Sequence, residues 1–244
     1  MTKKDTSPTS STHFEQIPLA VVQAIAQTDV DVAQTQPRKD EIAVEPAGRK
    51  ASPAPHVHAV QFYESPDALC RIVGSFLGEG FEQGAVAVLI VTPDHAARID
   101  ACLRECGVDV DALKGAGAMV VADARDTLNE FMVDGMPNPS EFRRTVGGLL
   151  TGIRRTNGNR PIRAYGEMVD LLWKDGREAA AIRLETLWNQ LAASYDFALL
   201  CGYSMGNFYK GSALDDIKRQ HTHLVPADGG AFAPIPARPV GAQA

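Results

Sequence analysis

The sequence has little cysteine, no long hydrophobic run and no excess of positive charge, and each shortage removes a class of protein. Four cysteines, Cys70, Cys102, Cys106 and Cys201, are too few and too scattered for a disulfide framework and read as reduced thiols. The longest apolar run, Ala85 to Val91, is far short of the ~18 residues of a membrane span. A net charge of −6, from 24 basic and 30 acidic residues, lacks the footprint of an autonomous nucleic-acid binder. Hydrophobic residues make up 45% and charged residues 22%, which excludes a wholly disordered or collagen-like chain. A length of 244 residues leaves room for one large domain or two small ones.

Proline is scarce in the middle and concentrated at both ends. Of 15 prolines, six lie in residues 1–55 and four in 225–244. These ends are expected to be disordered tails around a folded domain of residues 56–224, because they bury too little apolar surface to offset the entropy of ordering. A short apolar segment near 14–26 stands out in the first tail. Asp5 and Glu15 sit where a signal peptide needs a basic region, and Pro18 and Gln23 interrupt its apolar core. A short partner-docking helix, or no role at all, is the better reading, and a cytoplasmic location is expected.

Between the tails, strand and helix patterns alternate. Val57 to Tyr63 reads as a strand, and Ser65-Pro66 opens a helix with Leu69, Ile72, Val73, Phe76 and Leu77 on one side. Ala85 to Val91 is continuously apolar, as in a parallel strand covered on both faces. Thr92-Pro93 opens the next helix. Ala118 to Ala122, Pro161 to Tyr165 and Phe197 to Cys201 read as further strands. Asp126 to Met132 and Glu141 to Arg155 read as helices, separated by a loop over Gly135 to Pro139. Five strands with helical crossovers predict a three-layer, doubly wound α/β domain with a mostly parallel sheet.

Such sheets take ligands beyond the carboxyl ends of their strands. That edge should present Tyr63, Glu64, Thr92, Asp123, Glu167, Tyr203 and Ser204, a set that suits a neutral or cationic small molecule better than phosphate. The first strand runs into Glu64-Ser65-Pro66-Asp67, with no glycine cluster and no lysine to cradle a triphosphate.

Several stretches together resemble one family. They are His58-Ala59-Val60-Gln61-Phe62-Tyr63-Glu64, Thr92-Pro93-Asp94-His95, Phe131-Met132-Val133-Asp134-Gly135, Arg163-Ala164-Tyr165-Gly166-Glu167-Met168-Val169 with Trp173, Leu184-Glu185-Thr186-Leu187-Trp188-Asn189, and Leu199-Leu200-Cys201-Gly202-Tyr203. In this order they resemble the MEDS domain, the methanogen/methylotroph DcmR-type sensory domain. The resemblance implies a RecA/KaiC-like fold without its phosphate-binding loop and a role in sensing small organic molecules. It also implies an association with transcriptional regulators or histidine kinases; an anti-sigma factor or a second copy of the chain enters as a partner only if the tails recruit one.

The candidate ligand-binding residues are His58, Tyr63, Glu167, Trp173, Trp188, Cys201 and Tyr203. Each has a plainer alternative: His58 as a hydrogen-bonded core histidine, Glu167 as a helix N-terminal acid, the tryptophans as core. Glu185 is expected to pair with a nearby arginine. Cys102 and Cys106, four apart on a helix, could join His221 and His223 around a metal, but packing as small hydrophobes is the expectation, so neither metal nor cofactor is expected. Arg143, Arg144, Arg154, Arg155 and Arg160 form a basic helix surface.

The expected function is a sensory domain that binds a small organic ligand and acts on a separate protein or a second copy of itself. An interaction module with a vestigial site is the alternative. An acid–base enzyme would need His58 and Glu167 within hydrogen-bonding reach of each other, directly or through a water.

Overall fold

The computed structural model describes residues 56–207, 213–226 and 229–236. The expected tail 1–55, with its apolar segment at 14–26, lies outside them. Five strands correspond to those expected: β1 (His58–Tyr63), β2 (Val86–Val91), β3 (Met119–Asp123), β6 (Ile162–Gly166) and β7 (Ala198–Ser204). The last extends beyond its expected end because Gly202, Tyr203 and Ser204 continue the ladder against Gln61, Phe62 and Tyr63.

Four short strands were not expected. β4 (Met132–Val133) and β5 (Met136–Pro137) form a small hairpin that takes in Met132, the expected end of a helix, and the first part of the expected loop. Its turn is Asp134-Gly135, both at positive φ (47° and 81°), the backbone geometry for which Asp-Gly is suited. At the other end, β8 (His223–Val225) lies parallel to β1 and β9 (Ala233–Pro234) lies antiparallel to β8. Part of the expected C-terminal tail is therefore ordered: Phe232 stacks on Phe76 with centroids 5.7 Å apart, and the Ile235 N–H donates to the Thr222 carbonyl at 2.8 Å.

The main sheet runs β3-β2-β6-β7-β1-β8-β9, parallel except at β9. Side chains alternate between its faces, as a period of two requires. Ala59, Tyr63, Ala87, Leu89, Val91, Tyr165 and Leu200 pack with α1 (Pro66–Glu82), α2 (Pro93–Glu105) and α3 (Val110–Gly115). Val60, Val88, Ile90, Ala164, Leu199, Cys201 and Tyr203 pack on the other face. There they meet α4 (Ala124–Phe131), α5 (Pro139–Asn157), α6 (Met168–Lys174), α7 (Glu178–Ala192) and α8 (Ala213–Gln220). The fold is thus the doubly wound, mostly parallel α/β architecture. No helix of the described residues is long and apolar enough to cross a membrane.

Only Glu64 and Ser65 connect β1 to α1. The Ser65 hydroxyl oxygen accepts from the Ala68 N–H at 3.2 Å, so the helix start is capped by its own side chain. The arginines expected to form a basic face are largely engaged. Arg144 pairs with Glu141, Arg154 donates to the Asp196 carbonyl, and Arg160 donates to the carbonyls of Gly84 and Ala85.

Candidate functional site

At the carboxyl edge of the sheet, two buried carboxylates tie the strand ends together. Glu167 follows β6 at the N-cap position of α6, its side chain making no bond to that helix. Its N–H donates to Ile90 at the end of β2. Its Oε1 accepts from the Thr92 N–H, and its Oε2 lies 2.5 Å from His95 Nδ1. Thr92 N-caps α2 without a side-chain bond of its own, so a carboxylate from the neighbouring strand meets that helix start.

The second carboxylate is Asp170, in the first turn of α6. Its Oδ1 accepts from the Ser204 N–H at 2.9 Å; its Oδ2 accepts from the Tyr63 hydroxyl at 3.1 Å and lies 2.6 Å from the Lys174 ammonium. The ends of β1 and β7 are thereby joined to α6. Burial, then the charge on Asp170, pushes the Tyr63 hydroxyl far above its ordinary range. The hydrogen bond to Glu167 raises His95 despite its partial burial. The side chains of Glu167 and Asp170 are each 2% exposed, while those of His95 and Lys174 are 12% and 40% exposed.

A second polar cluster lies within the layer beneath α7. His58 from β1, Cys201 from β7, Glu185 from α7 and His221 beyond α8 converge there, all buried. His58 Nε2 is 3.2 Å from Glu185 Oε2 and 3.4 Å from Cys201 Sγ; Cys201 Sγ is 3.5 Å from Glu185 Oε2. His221 Nε2 lies 3.4 Å from Glu185 Oε1, which also accepts from the Tyr203 hydroxyl at 2.8 Å. Burial, reinforced by His221 alongside, lowers the His58 imidazole from its ordinary value. Burial and then the Glu185 charge push the Cys201 thiol well up.

The seven residues selected from the sequence therefore divide. Tyr63 and Glu167 meet at the carboxyl edge, whereas His58, Cys201 and Tyr203 meet in the buried cluster. Trp188 packs edge-on against Phe142 (5.3 Å) and Phe197 (6.0 Å), and Trp173 lies edge-on to Tyr203 at 6.0 Å. One expectation needs correction, and two arrangements considered only as conditions do not form. Glu185 faces imidazoles, a hydroxyl and a thiol, and no arginine is among the partners given above. His58 and Glu167 do not pair; His58 sits with Glu185 and Glu167 with His95. Cys102 cannot share a site with His221, because it packs toward Gly74 of α1 on the opposite face of the sheet. His95, Asp170 and Lys174 were not singled out as site residues. The available signal was Asp170 and Lys174 four apart on a helix leaving the end of a strand.

A further cavity, of about 480 Å³, opens toward the other end of the sheet, with Val57, Ile72, Phe76, Val225 and Phe232 among its lining.

The family model described as the methanogen/methylotroph, DcmR sensory domain matches residues 57–222. A search of curated proteins finds no match. Among solved structures, a KaiC-like protein from Pyrococcus horikoshii is similar over 68% of this chain and 70% of its own, at 11% identity and a TM-score of 0.45. The matched span holds both polar clusters, from His58 through His221, and covers more than half of the 244 residues, so the chain belongs to the MEDS family of sensory domains.

Proposed function

We propose that this sensory domain reads a small organic cation, or a comparable hydrogen-bonding molecule, at the carboxyl edge of its sheet and passes the result to a separate signalling protein. One observation carries the reading: Asp170 holds the ends of β1 and β7 and already bears an ammonium, that of Lys174, which reaches solvent. A ligand amine or hydroxyl that replaces Lys174 on Asp170 would act on both strand ends at once. The surroundings favour positive or neutral ligands, since Glu167 and Asp170 oppose phosphate. A histidine kinase, an anti-sigma factor or a transcriptional regulator is the class of partner that suits a sensory domain.

A thermal-shift screen of short amines and neutral organics tests the reading. A saturable stabilisation of the wild type that disappears in Asp170→Asn and weakens in Glu167→Gln is expected. Stabilisation that survives both substitutions would place the ligand elsewhere and overturn the assignment.

The internal pairing of Glu167 and Asp170 favours a second reading, an interaction module whose edge is vestigial. It predicts no ligand-induced shift in the screen, with partner capture unaffected by Asp170→Asn.

A further inference from the structure

The buried cluster beneath α7 has the donor set and the outer hydrogen bonds of a transition-metal site. Its four candidate ligand atoms, two imidazole nitrogens, one thiol sulfur and one carboxylate oxygen, all lie within 4.8 Å of one another. Bonds of ~2.0–2.3 Å around tetrahedral zinc place neighbouring donors roughly 3.4–3.6 Å apart. His58 Nε2, Cys201 Sγ and Glu185 Oε2 lie 3.2, 3.4 and 3.5 Å from one another, and His221 Nε2 lies 3.4 Å from the other carboxylate oxygen, Oε1, so small shifts of side chains suffice.

The outer bonds are an independent observation. His58 Nδ1 lies 2.9 Å from Asn189 Oδ1, and Asn189 is itself oriented by donating its amide to the Gln220 carbonyl at 2.8 Å. His221 Nδ1 donates to the Ile217 carbonyl at 2.7 Å. A carbonyl oxygen only accepts, so each Nδ1 carries a proton and each Nε2 faces inward, the atom free to ligate. The buried His221 Nε2 makes no hydrogen bond. Both Nε2 atoms thus converge on the Glu185 carboxylate and the Cys201 thiol, while the Tyr203 hydroxyl donates to Glu185 from the side. A divalent cation at their centre would be met by all four groups. With a thiolate and a carboxylate it also makes a site of zero net charge, which a buried position favours.

We propose that His58, Glu185, Cys201 and His221 bind one zinc-class divalent ion, with Asn189 as a positioning residue for His58. On binding, the metal forms its bond to Cys201 Sγ as the thiol proton leaves to solvent; no electron is transferred. Because His221 follows α8, the ion would fasten the C-terminal segment to β1, α7 and β7.

The test uses the full chain, stripped with a chelator and titrated separately with zinc and cobalt(II). Expected results are one ion per chain by elemental analysis, a tetrahedral cobalt spectrum with a thiolate charge-transfer band, and a higher melting temperature on zinc addition. Cys201→Ser should abolish the charge-transfer band, while Cys102→Ser should leave it intact. Asn189→Ala should weaken zinc binding by roughly 10–100-fold yet retain a tetrahedral cobalt spectrum. Failure of the wild type to bind stoichiometrically, or a charge-transfer band unaffected by Cys201→Ser, overturns the proposal. These readouts are independent of the carboxyl edge, so its ligand screen can fail without affecting them.

Discussion

Tyr165 is fully buried at the centre of the sheet, yet its hydroxyl makes no hydrogen bond and would stand 2.7 Å from a Cβ placed on Gly202. Two outcomes follow from this close approach. Tyr165→Phe removes an unsatisfied polar group and should stabilise the fold by up to about 1 kcal/mol in denaturant unfolding. Gly202→Ala should destabilise it, because the new methyl meets that hydroxyl, and the double variant should recover part of the loss. A second residue-scale test concerns His95, which faces Glu167, Lys174, Asp94 and the ring of Tyr63. Its folded value is raised above the ordinary 6.5, so the pair with Glu167 contributes fully below that pH and loses its contribution as pH rises through the raised value. The stability gap between wild type and His95→Gln should therefore narrow from pH 6 toward alkaline pH. Thiol labelling of the native chain should reach exposed Cys106 first and spare Cys201 and Cys70, the latter's thiol pushed up to about 11 chiefly by burial. At this scale the sequence revealed which residue types carry chemistry. It did not reveal their partners: His58 meets Glu185 and Asn189 only after the chain has crossed the sheet and returned.

The principal elements were legible because their patterns are strong. β2 is apolar on every residue, and α1 combines a serine cap, a proline at its start and a well-spaced apolar face. β8 and β9 were not legible, since a three-residue strand and a two-residue strand in a proline-rich stretch have no periodicity to read. They form by pairing with an edge already present: Thr222 donates its N–H to the His58 carbonyl, and its hydroxyl oxygen accepts from the His58 N–H. The β4–β5 hairpin was hidden for the same reason, although its Asp-Gly turn was visible. Within α7, Trp188 is 1% exposed between Phe142 and Phe197. Trp188→Ala should cost about 3–5 kcal/mol of unfolding free energy.

For the whole molecule, the doubly wound class followed from alternating strands and helices, whereas the closure of its carboxyl edge did not. That closure comes from Glu167 and Asp170 reaching across strands that are distant in sequence. The short β1–α1 link and these carboxylates oppose a triphosphate, so magnesium-ATP should leave the melting temperature unchanged in the same thermal-shift format. Removal of residues 208–244 should lower it sharply, because Ile217 and Val225 would leave the two faces of the core.

The antiparallel pairing of Ala233–Pro234 also bears on self-association. Proline there has no amide to offer an incoming strand, and Pro236 follows two residues later, so this margin resists extension by another chain. Growth of a continuous intermolecular sheet would have to start at the opposite margin, along Met119–Asp123. A charged or proline substitution at Val121 is accordingly the place to block aggregation by strand addition.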